Sequence, residues 1–272
     1  MRIEWYEEAI RYLNANGTKL FCTYCGVETI CLGGTGFCSN CEQRLSYTGE
    51  QFGAANPEIC ASITSVAQML RNMEYDKAAS VYDGIAASNR DSGYLYAAAV
   101  ARILHSNHKI SLIRYDRQGF MEQNAEFRND AAALAAEAKA LLAQIIAREA
   151  QESSPRGMYT LFLAHLKLRQ MRAANALLER LRLAGDQLAS GYAAMLLESA
   201  LGRYDKALEA AERLVSAESF SINAVFYAAR AFYNLRNYAM AGWLTRLALP
   251  YMASRAPQYL LADIKALGAT WM

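Results

Sequence analysis

The strongest constraint on how this chain can fold is a recurring four-residue pattern. Tyr75-Asp76-Lys77-Ala78 and Tyr204-Asp205-Lys206-Ala207 both open an apolar stretch. Tyr238-Ala239-Met240-Ala241 gives a third Tyr-x-x-Ala, and Met171-Arg172-Ala173-Ala174 a fourth, with Met for Tyr. The last three alanines follow one another at 33 and 34 residues, and Ala78 precedes Ala174 by 96, close to three such units. A period of about 34 residues suits a stack of helix–turn–helix units. A small Ala near the start of the second helix lets the first helix approach, and the aromatic before it fills the turn.

The composition agrees with a helical stack. There are 50 Ala and 4 Pro among 272 residues, and these are the best and the worst helix formers. Hydrophobic residues make up 54% and charged residues 20%, which excludes a disordered chain. The 28 Lys+Arg against 26 Asp+Glu leave a net charge of +2, which excludes a strongly basic nucleic-acid coat or an acidic tail. Residues 1–17 read as an N-terminal helix, with Ile3, Tyr6, Ile10 and Leu13 on one face and Gly17 as a left-handed stop. Residues 49–57 read as a linker. No basic-then-apolar leader opens the sequence and no apolar run is long enough to span a membrane, so a cytoplasmic protein is expected.

Between these lies a different kind of segment. Five of the six Cys fall within residues 22–41, and four of them form Cys22-x-x-Cys25 and Cys38-x-x-Cys41, twelve residues apart. In a chain without a secretory leader such spacing favours metal over disulfides. Each tight turn turns two sulfurs toward one ion, and tetrahedral Zn²⁺ takes four thiolates at about 2.3 Å. Val27–Leu32 is β-prone and Gly33-Gly34-Thr35-Gly36 can reverse the chain, so a hairpin between the two pairs is expected. Iron held by similar turns is the minor alternative. A thioredoxin-like dithiol needs one Cys-x-x-Cys at a strand–helix junction rather than two pairs. Cys31 reads as a spare buried or half-buried thiol and Cys60 as a small packed apolar residue. On these residues, 20–47 resembles a zinc ribbon. That resemblance sets a module at 18–48, with one structural zinc on Cys22, Cys25, Cys38 and Cys41. So short a segment would draw its folding energy from the metal.

Residues 58–272 resemble the tetratricopeptide repeat family. The match is best at 222–248, where Val225, Ala228, Ala229 and Phe232 precede Tyr238 and Ala241. It is poorest at 105–126, read as an irregular insertion, and Gly191 stands where a large residue is usual. The tail 256–267 is expected to cap the stack. The resemblance implies a mostly α fold, an α-solenoid carrying a small β-hairpin module at its N-terminal side. It also implies a concave face that binds a partner peptide or helix. Carried over, that face comprises Arg156, Tyr159, Lys167, Tyr192, Asn223, Phe226, Arg230, Tyr233 and Asn234. From Arg156 to Arg182 there are six Lys+Arg and one acid, which favours an acidic partner. The expected function is a protein-interaction adaptor, without catalysis. The alternative is a nucleic-acid- or ribosome-associated factor that uses the ribbon. A metal- or redox-responsive regulator using Cys31 or Cys60 is a third reading. His105, His108 and His165 read as ordinary surface or packed histidines.

Overall fold

The structure is a computed structural model that describes residues 3–113, 121–151, 153–217 and 221–252. The first helix, α1 (Ile3–Asn16), buries Tyr6, Ile10 and Leu13, as the spacing predicts, and packs against helices from the far end of the chain. Gly17 ends it for a different reason than expected. Its φ is not positive; instead a Cβ there would stand 2.3 Å from the Leu13 carbonyl oxygen, to which the Gly17 amide donates. Close approach, not left-handed backbone, excludes other residues.

The cysteine module follows as two antiparallel hairpins. Strand β1 (Thr18–Phe21) pairs with β2 (Glu28–Cys31), placing Phe21 opposite Glu28. Strand β3 (Gly36–Phe37) pairs with β4 (Arg44–Leu45). The single hairpin expected between the cysteine pairs is therefore corrected: each pair is itself the tip of a hairpin. The cause is local, because the Cys22 amide bonds Val27 O and the Cys38 amide bonds Gln43 O, which closes each knuckle on its own arms. Gly33 and Gly34, both with positive φ, only join the two hairpins.

The expected linker 49–57 is also corrected. It forms α2 (Gly49–Ala55), started by a capping box in which Thr48 and Gln51 satisfy each other's backbone amides. Phe52 is buried with its ring 5.9 Å from that of Phe21. Pro57 then opens α3 (Pro57–Arg71), the position where a missing amide costs nothing.

The remaining helices run α4 (Tyr75–Ser88), α5 (Ser92–Ser111), α6 (Met121–Glu149), α7 (Pro155–Lys167), α8 (Met171–Leu183), α9 (Gln187–Ala200), α10 (Tyr204–Ser216), α11 (Ile222–Asn234) and α12 (Tyr238–Met252). Each packs on its sequence neighbour, and α5 touches α7, α7 touches α9, and α9 touches α11. This packing is consistent with a solenoid. Four turns share one geometry. Met73, Arg169, Gly202 and Arg236 take positive φ, each two residues before the aromatic or Met that opens the next helix. The amides of Glu74, Gln170, Arg203 and Asn237 then each donate at 2.9 Å to the carbonyl five residues back, the six-to-one bond of a Schellman ending. Ala78, Ala174, Ala207 and Ala241 are all buried, so the periodic alanines do sit at the tight helix contacts.

The stretch 105–126, expected as an irregular segment, is helical at both of its ends, within α5 and α6, and its centre, 114–120, lies outside the described residues. Its polar residues reach across a helix pair rather than out of a loop. Ser106 donates to Ala131 O at 2.9 Å and Lys109 pairs with Asp130 at 2.9 Å. The tail expected as a cap, 256–267, also lies outside the described residues. Among the described residues no helix is long and apolar enough to cross a membrane.

Candidate metal centre

The two knuckles bring Cys22, Cys25, Cys38 and Cys41 together, with all four sulfurs within 4.8 Å of one another and all four residues buried. The Cys22–Cys41 and Cys25–Cys38 sulfurs are 3.5 and 3.4 Å apart, and the six cysteines are free thiols. A tetrahedral ion with metal–sulfur bonds of about 2.3 Å needs sulfur edges near 3.8 Å, so the pocket is of the right size for one ion. Backbone supports the sulfurs: the Asn40 amide points at Cys38 Sγ from 3.4 Å. Burial pushes the Cys22 and Cys41 thiols well up. At Cys25 burial again opposes the thiolate, but hydrogen bonds from Cys22, Cys38, Cys41 and Asn40 outweigh it. Four thiolates in so dry a place need a cation to balance them. Cys31 is not among them. It is buried under Gly36, where a Cβ would meet its sulfur at 2.3 Å, and burial pushes its thiol up. Cys60 is half-buried beside Gly53.

The knuckles have the same backbone and different neighbours. Gly26 and Glu42 stand just after the second cysteine of each, at φ +69° and +65°, and their amides bond Cys22 O and Cys38 O. A Cβ on Gly26 would lie 2.7 Å from Ile63 O and 2.9 Å from Ala67 Cβ, both on α3. Glu42 instead carries a side chain through this left-handed position, at a backbone cost of about 1–2 kcal/mol. Its carboxylate accepts from the Tyr227 hydroxyl on α11 and lies 3.1 Å from Lys167 Nζ on α7. Burial alone would raise the Glu42 carboxyl, but Lys167, Tyr227 and Arg230 hold it below the usual carboxylate value.

The helices that receive the module are α5, α7, α9 and α11. Tyr24, inside the first knuckle, lies on Gly93 and 5.2 Å from the Tyr94 ring, and donates to Asp91 at 3.0 Å. Arg156 donates to the Tyr24 hydroxyl and stacks 5.4 Å from its ring centre. Phe37 wedges between Tyr159 and Tyr192, with ring centres 4.7 and 4.1 Å away. Asn223 donates to Cys38 O at 3.4 Å and accepts from Tyr192 Oη at 2.9 Å. Thr160 donates to Gln43 at 3.3 Å, Arg44 pairs with Asp186, and Cys31 forms a backbone bridge with Ser221.

The residues expected to face a partner thus divide into two groups. Tyr159, Tyr192 and Asn223 are buried against the module, Phe226 is buried nearby, and Arg156 and Lys167 lie at the edge with their ends bound to it. Arg230, Tyr233 and Asn234 are exposed along the end of α11. The sequence reading of that face did not foresee that the chain's own module lies against Tyr159, Tyr192 and Asn223. It missed Tyr227, one residue past Phe226, and the acids Asp91, Asp186 and Glu42. Glu42 carried a signal, as a large acid in a place where a knuckle favours Gly. The histidines lie apart from the cysteines: His105 pairs with Asp76 at 2.7 Å and His165 with Gln170 at 2.6 Å.

Compared with known protein families, with curated proteins and with solved structures, the chain matches none of them.

Proposed function

We propose that this chain is a zinc-stapled interaction scaffold: a tetratricopeptide-like array with a zinc ribbon seated on its concave face. The observation that carries the reading is that three successive inner helices, α7, α9 and α11, already recognise one short protein segment, Phe37–Arg44. They do so with an aromatic cleft, an amide and a charged pair. That is the chemistry of peptide recognition, here used within one chain. Zinc is the ion that best suits four buried thiolates in a closed set. It would supply charge balance and a cross-link, and a closed set leaves no position for a substrate. Free thiols at metal-ligand spacing suit a cytoplasmic setting.

What is left for an outside partner is the exposed end of the inner face. Tyr233 and Tyr238 meet edge to face at 5.5 Å, each 37% exposed, with Arg230 and Asn234 beside them. An aromatic pair next to a cation suits a protein partner with an acidic segment. The nucleic-acid alternative is less well supported, since the ribbon's only cations are Lys19 and Arg44, and Arg44 is already paired with Asp186. The test is capture of partners by the 272-residue chain, compared with an Arg230→Ala/Tyr233→Ala variant of unchanged circular dichroism. Loss of a partner in the variant alone is expected. Equal capture by both, or capture only of nuclease-sensitive material, would overturn the reading.

A further inference from the structure

The contact between module and array is unlike an ordinary core. Among the buried groups gathered here, Glu42 Oε2, the Tyr96 and Tyr159 hydroxyls and Gln43 Nε2 have no hydrogen-bond partner in the protein, so Glu42 Oε2 meets Lys167 as an ion pair only. A buried unpaired polar group opposes closure of the contact that buries it. The contact is also discontinuous in sequence: one turn, residues 38–43, carries the sulfurs of Cys38 and Cys41 and also delivers Glu42 to two separate helices. Glu42 reaches Lys167 and Tyr227 from a left-handed backbone that two knuckle hydrogen bonds hold between Cys38 and Gln43. Metal binding and knuckle folding are one event in a module this small.

We infer that Glu42 is a latch that couples metal loading at the cysteines to closure of the concave face. With the knuckle formed, the Glu42 carboxylate ties α7 to α11 and Phe37 fills the cleft of Tyr159 and Tyr192. With the metal removed, the turn loses its left-handed residue, the carboxylate leaves Lys167 and Tyr227, and the module no longer covers the inner faces of α7, α9 and α11. Helix α8, which packs on α7 and α9, keeps its place. The inference rests on the metal reading above, and it adds which residue transmits the metal's presence and which surface responds.

The full chain separates these possibilities by hydrogen–deuterium exchange, with zinc content measured on each sample. In the wild type, stripping zinc under reducing conditions should speed exchange in α7 and α11 by about tenfold or more, the factor expected when a charge-assisted hydrogen bond is lost, and should leave α8 nearly unchanged. Glu42→Gly keeps the backbone the turn prefers and removes only the carboxylate. It should retain one zinc yet show fast exchange in α7 and α11 while loaded. Lys167→Met/Tyr227→Phe, remote from the cysteines, should do the same from the array side. Wild-type protection that persists after stripping would overturn the latch. So would a Glu42→Gly protein as protected as the loaded wild type, or one that loses its zinc, or exchange that rises equally in α8. A wild type that binds no zinc would instead sink the metal reading itself, and the zinc measurement records that outcome separately.

Discussion

The two knuckles of the cysteine module are nearly the same object in different surroundings. Both close with an amide from the residue after the second cysteine, and both place that residue near φ +67° within two degrees. At the first, α3 lies so near that only Gly26 fits. At the second, the space is open toward α7 and α11, and Glu42 accepts the strained backbone in return for Lys167 and Tyr227. One geometric demand has thus been met once by removing a side chain and once by giving it a charge partner at the edge of the contact. The first knuckle is fixed by packing and the second by electrostatics, so the two should respond differently to mutation.

The largest effect should come from what they share. Cys22→Ser/Cys38→Ser takes one ligand from each knuckle and should abolish metal binding, with a loss of well over 3 kcal/mol, since structural zinc sites contribute on the order of 10 kcal/mol in small domains. Metal analysis and thermal unfolding would check it; a double variant that keeps its ion would break the comparison at its root. Gly26→Ala comes next, at about 3 kcal/mol, from left-handed strain plus a clash with α3 backbone. Urea unfolding is the measurement, and a cost below about 0.5 kcal/mol would mean that α3 does not press on the first knuckle. Glu42→Gly should cost about 1 kcal/mol net, as relief of strain offsets part of a lost charged hydrogen bond. Equal losses at Gly26 and Glu42 would erase the distinction between them. Gly34→Ala is the control. Its φ is +71° but nothing lies within 4 Å of the added Cβ, so only strain of about 1 kcal/mol is expected, and a larger loss would show that the linking turn is crowded after all.

The parts of this molecule legible in its sequence were those set by spacing. Two Cys-x-x-Cys pairs announce the four clustered thiols that could hold a metal ion, and the alanines Ala78, Ala174, Ala207 and Ala241 announce the helix contacts. The turns before those alanines were not legible, because three of the four left-handed positions hold Met73, Arg169 and Arg236 rather than Gly, and tertiary packing imposes a conformation that local preference does not favour. The helix α2 was hidden by Gly49 and Gly53 and by the Pro57 that follows it, whose punctuation reads as a loop until the Thr48–Gln51 box is seen. The shared side of α7, α9 and α11 that carries Tyr159, Tyr192 and Asn223 was legible in the repeat spacing. Its occupant was not, since a repeat period tells which side of a helix faces inward but not what lies there. The acids that complete the interface, Asp91, Asp186 and Glu42, sit far from their partners in sequence, and only the fold joins them.

The central claim is that one metal ion holds the cysteine module on the inner face of the array. Near-ultraviolet and far-ultraviolet circular dichroism of the full chain, recorded with metal content before and after chelation under reducing conditions, tests it most directly. The account predicts one zinc per chain and loss of the near-ultraviolet tyrosine signal on chelation, as Phe37 leaves Tyr159 and Tyr192, with most of the helical signal retained. A chain without bound metal, or a tyrosine signal unchanged once the metal has gone, would contradict it.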